Sequence, residues 1–222
     1  MIQAIVFDLD DTLYPEREFV VSGFQAVDDW LRREKAVTGF FEHAFAAYSA
    51  GRRGDIFDAA LNRCGVTYDA ADMQRLVQLY RTHPPRIQLH PDARWAIEHF
   101  RDTKKLGIIT DGYLAAQKSK VHALGLSNDF AAIVYSDELG RQYWKPSLVP
   151  YRKFIEAVPC DPRECVYVGD NPRKDFLGAN QLGWLSVQVC RPDGEYRGIE
   201  VESSYRPQMK ISSLTELADV LE

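Results

Sequence analysis

The sequence predicts an α/β fold, a parallel sheet wrapped by helices and interrupted early by a helical insertion. Three observations carry this reading. The apolar run Ile2-Gln3-Ala4-Ile5-Val6-Phe7 ends abruptly in Asp8-Leu9-Asp10-Asp11, as a buried strand does when its carboxyl end reaches a ligand-facing edge. Residues 16–82 then show helical periods and almost no β-branched runs. From residue 88 onward, helical stretches alternate with short apolar runs, the pattern of a parallel sheet.

Within the insertion, Val20, Phe24, Val27 and Leu31 recur at i, i+4, i+7 and i+11, and Phe41, Phe45 and Tyr48 repeat that spacing. Phe57, Ala60, Leu61 and Cys64 predict a third helix, and Met73, Leu76, Val77 and Tyr80 a fourth, so that four apolar stripes can bury one another. His83-Pro84-Pro85 closes the segment, because proline lacks a donor and disfavours helix in the residue before it. Beyond it the expected order is helix 92–102, strand 106–110, helix 113–124, strand 131–135, helix 148–158, strand 165–169, helix 174–182 and strand 184–189. Residues 192–210 are rich in Pro, Gly, Glu, Arg and Ser and are expected to be mostly loop, before a final helix over 213–221. The first strand must rejoin strands lying beyond residue 100. The organisation is therefore a core of 1–15 with 83–222 and an inserted helical domain, 16–82.

A chain of 222 residues, 45% hydrophobic and 27% charged, has the balance of a folded globular protein rather than a disordered one. With 27 basic and 32 acidic residues its net charge is −5, which argues against a large nucleic-acid surface. No stretch reaches the length of a membrane span, and the start carries no basic segment followed by a long apolar core. A cytoplasmic location is expected. The four cysteines form no C-x-x-C pair, and Cys165 and Cys190 read as small buried hydrophobes. The five histidines show no metal-ligand spacing and read as structural or exposed.

Three further strand ends carry polar residues. The strand 106–110 ends in Thr110-Asp111-Gly112, where a hydroxyl and glycine-flexible N–H groups suit a phosphate, although Thr110 alone also reads as a strand-end or capping residue. The strand 165–169 ends in Asp170-Asn171-Pro172-Arg173-Lys174-Asp175, and paired acids there fit a hard cation. Asp175 also fits as a cap of the next helix. Between the two lies Trp144-Lys145-Pro146, whose lysine is either a solvated charge or a compact cation for a phosphoryl group. Asp11 reads as a solvated or turn-capping carboxylate.

Taken together, Asp8-Leu9-Asp10-Asp11-Thr12-Leu13, Thr110-Asp111-Gly112, Lys145-Pro146 and Gly169-Asp170-Asn171-Pro172-Arg173-Lys174-Asp175 resemble the four motifs of the haloacid dehalogenase-like hydrolase superfamily, in order and in position relative to the strands. The resemblance implies a Rossmann-like core of strand order 3-2-1-4-5 with a helical cap inserted after the first motif. It implies Asp8 as nucleophile through an aspartyl-phosphate and Asp10 as general acid and base. Thr110, Asp111 and Gly112 would hold the phosphoryl oxygens, and Lys145 would bridge Asp8 and phosphate. Asp8, the Asp10 carbonyl and Asp170 would ligate Mg²⁺, with Asp175 orienting the metal directly or through water.

Electrostatics agrees with those roles, since a carboxylate approaching a phosphate monoester needs cationic compensation. Asp10 must carry a proton near neutrality, so its pKa is expected to be raised by neighbouring carboxylates or burial. The family's dehalogenases generally lack this second aspartate, so Asp10 points to a phosphatase acting on a small phosphorylated metabolite. Alternatives are a catalytically weak phosphate-binding or scaffold protein of the same fold, a 2-haloacid dehalogenase and a phosphomutase. Lys174 departs from many relatives, which carry Asn or an acid there. Tyr14 reads either as hinge or as ordinary packing. In the insertion, Arg52 and Arg53 lie in an interhelical loop and are candidates for substrate contact.

Overall fold

The computed structural model describes residues 1–221, which divide into two compact units, Met1–Pro15 with the chain from Gln88 onward, and Glu16–Ile87. In the first unit, all four side chains of β1 (Ala4–Phe7) are buried, as a central parallel strand requires. The remaining strands are β2 (Lys105–Thr110), β3 (Ala132–Tyr135), β4 (Cys165–Gly169), β5 (Leu185–Val189) and β6 (Met209–Ile211). Among the described residues they form one six-stranded sheet of order β3-β2-β1-β4-β5-β6, with every neighbouring pair parallel.

The first five strands have the expected order. β6 is a correction, because it falls in the stretch read as mostly loop. It has three residues, of which only Ile211 is buried, so it carries no apolar run. It is placed by ladder bonds to β5 and by the anchoring of its approach, where the Gln208 backbone N–H donates to the Ser186 carbonyl.

Helices α5 (Pro91–Phe100), α6 (Leu114–Ala123), α7 (Ser136–Leu139), α8 (Val149–Ala157), α9 (Phe176–Leu182) and α10 (Leu217–Leu221) belong to this unit. On one flank of the sheet Val6, Ile109 and Tyr167 pack against Tyr151, Phe154, Phe176 and Trp184. The register matches Phe7 with Ile108 on one side and Val168 on the other. Asp8, Thr110 and Asp170 therefore emerge along the same carboxyl edge, where β1 separates the two halves of the sheet and open α/β folds bind ligands.

The second unit consists of α1 (Glu16–Lys35), α2 (Phe40–Ser49), α3 (Ile56–Arg63) and α4 (Ala70–Thr82). Its core is built from Val20, Phe24, Val27, Leu31, Phe40, Ala44, Ala60, Leu61 and Leu76, residues drawn largely from the predicted stripes. Gly39 at the start of α2 has no side chain to cap it. Buried Asp28 supplies the acceptor instead, taking the Phe41 N–H at 3.1 Å while pairing with Arg32 at 2.7 Å. His83, held extended before Pro84, ends α4. No helix among the described residues is long and apolar enough to cross a membrane.

His90 starts α5, and its Nε2 is buried without a hydrogen-bond partner. Burial, with Arg191 nearby, lowers its pKa from 6.5 to about 4. The folded protein thus keeps His90 neutral where the unfolded chain takes up a proton, so its contribution is present above about 6.5 and lost as pH falls toward about 4. We expect His90→Gln to flatten the decline of the thermal unfolding midpoint across that window; an unchanged slope would rule this group out as its source.

Candidate active site

Lysine 145 sits at the centre of the edge. Its Nζ lies 2.6 Å from Asp8 Oδ1, 2.8 Å from Asp175 Oδ1 and 2.8 Å from the Tyr167 hydroxyl. All four side chains are buried. The Asp111 carboxylate accepts the Lys145 backbone N–H at 3.2 Å, which ties the loop before α8 to the end of β2. Burial opposes the ammonium charge, but Asp175 and Asp8 outweigh it and hold Lys145 protonated well above its ordinary range.

Asp8 keeps a proton affinity above the usual carboxylate range, because burial outweighs the attraction of Lys145 and Lys174. Its Oδ2 is buried and accepts no hydrogen bond, and Lys174 Nζ stands 3.9 Å from it. Asp170 is pushed well above its range by burial, with Asp175 and Asp8 adding repulsion. Carboxylate oxygens of Asp8, Asp170 and Asp175 lie within 4.8 Å of one another. A buried set of oxygen donors, one of them unpartnered and two with raised proton affinity, is the environment of a hard metal ion.

Asp175 stands at the N-cap of α9 but makes no cap bond. Its carboxylate instead accepts the Asn171 N–H at 2.9 Å through Oδ2 and Lys145 through Oδ1. Gly169 permits this fold-back, since a Cβ there would lie 2.5 Å from Asp175 Oδ2. Thr110 is fully buried and its hydroxyl accepts from Gln117 Nε2. Gly112 turns the chain away from β2 with φ +124°, a conformation L side chains rarely adopt. Asp11 occupies the left-handed region at φ 56°, where Asp is among the tolerated non-glycine residues, so the third acid is a turn residue.

Asp10 differs from expectation. Its Oδ1 accepts from the Tyr14 hydroxyl and from Lys120 Nζ, the latter at 2.7 Å, and its Oδ2 accepts from Gln117 Nε2 at 2.9 Å. Burial favours the protonated form, but Lys120, Tyr14 and Gln117 together lower the pKa rather than raise it. Reasoning from neighbouring carboxylates and burial does not reach Lys120 and Gln117, which lie more than a hundred residues along the chain. The available signal was their i, i+3 spacing on a helix just after Gly112.

Arg52 and Arg53 belong to the helical unit. Arg52 grips Asp55 through two hydrogen bonds of 2.7 and 2.6 Å. Arg53 lies over the Tyr48 ring at 4.5 Å and donates to the Tyr48 carbonyl.

Residues 2–183 match the model of the haloacid dehalogenase-like hydrolase family. The chain belongs to that family. It is 29% identical to a glyceraldehyde 3-phosphate phosphatase of Methanopyrus kandleri, over all of this chain and 97% of the relative. Against a phosphoserine phosphatase of Thermus thermophilus the identity is 30%, over 78% of this chain and 67% of the relative. The crystal structure of a 2-haloacid dehalogenase from Pseudomonas syringae pv. tomato superposes with a TM-score of 0.69 and 28% identity, covering all of this chain and 98% of that one. With phosphatases among its curated relatives and an aspartate two positions after Asp8, the chain is a phosphatase-type member of the family.

Proposed function

We propose that this family member hydrolyses a small phosphorylated metabolite through an aspartyl-phosphate on Asp8, with Mg²⁺ as cofactor. One observation carries the reading most directly. Asp8, buried and held on one oxygen by Lys145, keeps its other oxygen free of hydrogen bonds at the carboxyl edge of the central strand. A side chain buried only for stability would have both oxygens satisfied.

In this mechanism the Asp8 carboxylate attacks phosphorus while the bond to the leaving oxygen breaks. In the free site Lys120, Tyr14 and Gln117 favour the Asp10 carboxylate, so Asp10 takes up its proton as the phosphate monoester binds and brings opposing negative charge, and then donates it to that oxygen. Asp10, now anionic, then takes a proton from water as the water oxygen displaces Asp8 from phosphorus. The Thr110 hydroxyl and the backbone N–H groups of Asp111 and Gly112 hold the phosphoryl oxygens, and Lys145 screens the repulsion between Asp8 and phosphate. Asp8, the Asp10 carbonyl and Asp170 would hold Mg²⁺, which when bound supplies positive charge to the phosphoryl oxygens. Asp175 fixes Lys145 and the 169–171 turn beside them. The helical unit, 16–82 by sequence, serves as cap, and Arg52 and Arg53 are its candidates for gripping a second anionic or hydroxyl-rich part of the substrate.

A second reading, 2-haloacid dehalogenation, is favoured by the likeness to the Pseudomonas syringae enzyme. Halide leaves without a proton, so that chemistry gives Asp10 no work. One experiment separates the two: release of phosphate from a panel of phosphorylated metabolites, with Mg²⁺ and with EDTA, beside release of chloride from small 2-chloroacids. We expect phosphate release from a few related esters, falling to background in EDTA. Chloride release alone would establish the dehalogenase, and silence in both assays would leave a phosphate-binding relative.

A further inference from the structure

Helix α6 buries Gln117 and Lys120, 1% and 4% exposed, on a segment with no strong apolar stripe. Burying an ammonium costs several kcal/mol unless a charge and hydrogen bonds answer it, so its partner should be informative. The partner is Asp10, at 2.7 Å. Gln117 sits one turn earlier and uses the same amide nitrogen for Asp10 Oδ2 and the Thr110 hydroxyl. The helix therefore grips both oxygens of one candidate catalytic carboxyl and, through Gln117, the hydroxyl of the candidate phosphate cradle.

We propose that Lys120, with Gln117, is a positioning residue for proton transfer to the leaving group. This rests on the reading of Asp10 as general acid. A carboxyl group on two rotatable bonds sweeps a wide arc. Donors on both of its oxygens select one orientation, and Gln117 references that orientation to the residue that holds the phosphoryl group. Lys120 touches the acid and takes no part in bond making: the proton passes from Asp10 to the leaving oxygen as the phosphorus–oxygen bond breaks.

The test follows from what a misplaced acid costs. An alkoxide leaves slowly without a proton, whereas p-nitrophenolate leaves unaided. Leaving-group release would be measured in a single turnover, so that the later water step does not contribute, for p-nitrophenyl phosphate and for the alkyl phosphate turned over fastest in the metabolite panel. Lys120→Met is expected to slow the alkyl ester about 10²-fold, the order of loss for misplacement by about an ångström, and the aryl ester less than about threefold. Lys120→Arg should restore part of the alkyl rate, and Asp10→Asn should show the same split more deeply. Equal losses on both esters in Lys120→Met, or none, with the split intact in Asp10→Asn, would overturn the role of Lys120 and leave the acid assignment standing. Absence of the split in Asp10→Asn would remove the acid assignment, and the proposal with it. If Lys120→Met fails to fold, Gln117→Met carries the same comparison.

Discussion

Asp8→Asn is expected to abolish turnover while leaving the protein as stable as before, or more so. The amide reproduces the carboxylate's shape, so the packing at the end of β1 is undisturbed. It removes the negative charge and with it the nucleophile, and loss of an attacking group of this kind lowers kcat by on the order of 10⁴-fold or more. Stability should not follow activity down. Lys145 retains Asp175 at 2.8 Å and the Tyr167 hydroxyl at 2.8 Å, so the buried ammonium stays paired. Asp8 meanwhile raises the proton affinity of Asp170, and Asp175 raises that of both, so removing one acid from that cluster relieves repulsion. Phosphate release and thermal unfolding in EDTA, measured on one preparation, check both halves. Retention of the native rate would end the aspartyl-phosphate mechanism.

The candidate catalytic edge is legible in the sequence because each strand that builds it is a buried apolar run stopped by polar residues, as in Phe7 to Asp8 and Gly169 to Asp170. Such boundaries record a local change of environment. What stayed hidden depends on contacts between distant segments. The expectation for Asp10 rests on nearby carboxylates and burial, whereas its proton affinity is lowered by Lys120, Tyr14 and Gln117, of which Lys120 and Gln117 lie 110 and 107 residues away. Asp175 has the residue type and backbone position of a helix cap, yet its carboxylate turns back to Asn171 and Lys145 because Gly169 leaves the space. β6 escaped notice for a related reason: a three-residue edge strand with one buried side chain is held by its neighbour and not by its own composition.

Lys145→Met is expected to lose both activity and stability, in contrast to Asp8→Asn. Methionine fills the lysine's volume but leaves Asp8 and Asp175 buried without their shared cation. Breaking a buried pair from one side costs about 3–5 kcal/mol, which urea unfolding at neutral pH in EDTA would register directly. The deficit should depend on pH with a definite sign. Asp8 and Asp170 already have folded-state proton affinities above the unfolded value of 3.8, and loss of Lys145 removes the strongest attraction holding Asp8 down. The folded variant therefore binds more protons than its unfolded chain, so its stability is greatest below that unfolded value and declines as pH rises through the raised folded values. Unfolding at pH 5 and pH 7 should show the gap to the native protein widening at the higher pH. The pair can also be isolated by a cycle: if the cost is an uncompensated carboxylate rather than lost packing, adding Asp8→Asn to Lys145→Met should recover part of the lost stability. A double variant no more stable than Lys145→Met would place the cost in packing and remove the electrostatic account of why this lysine is buried.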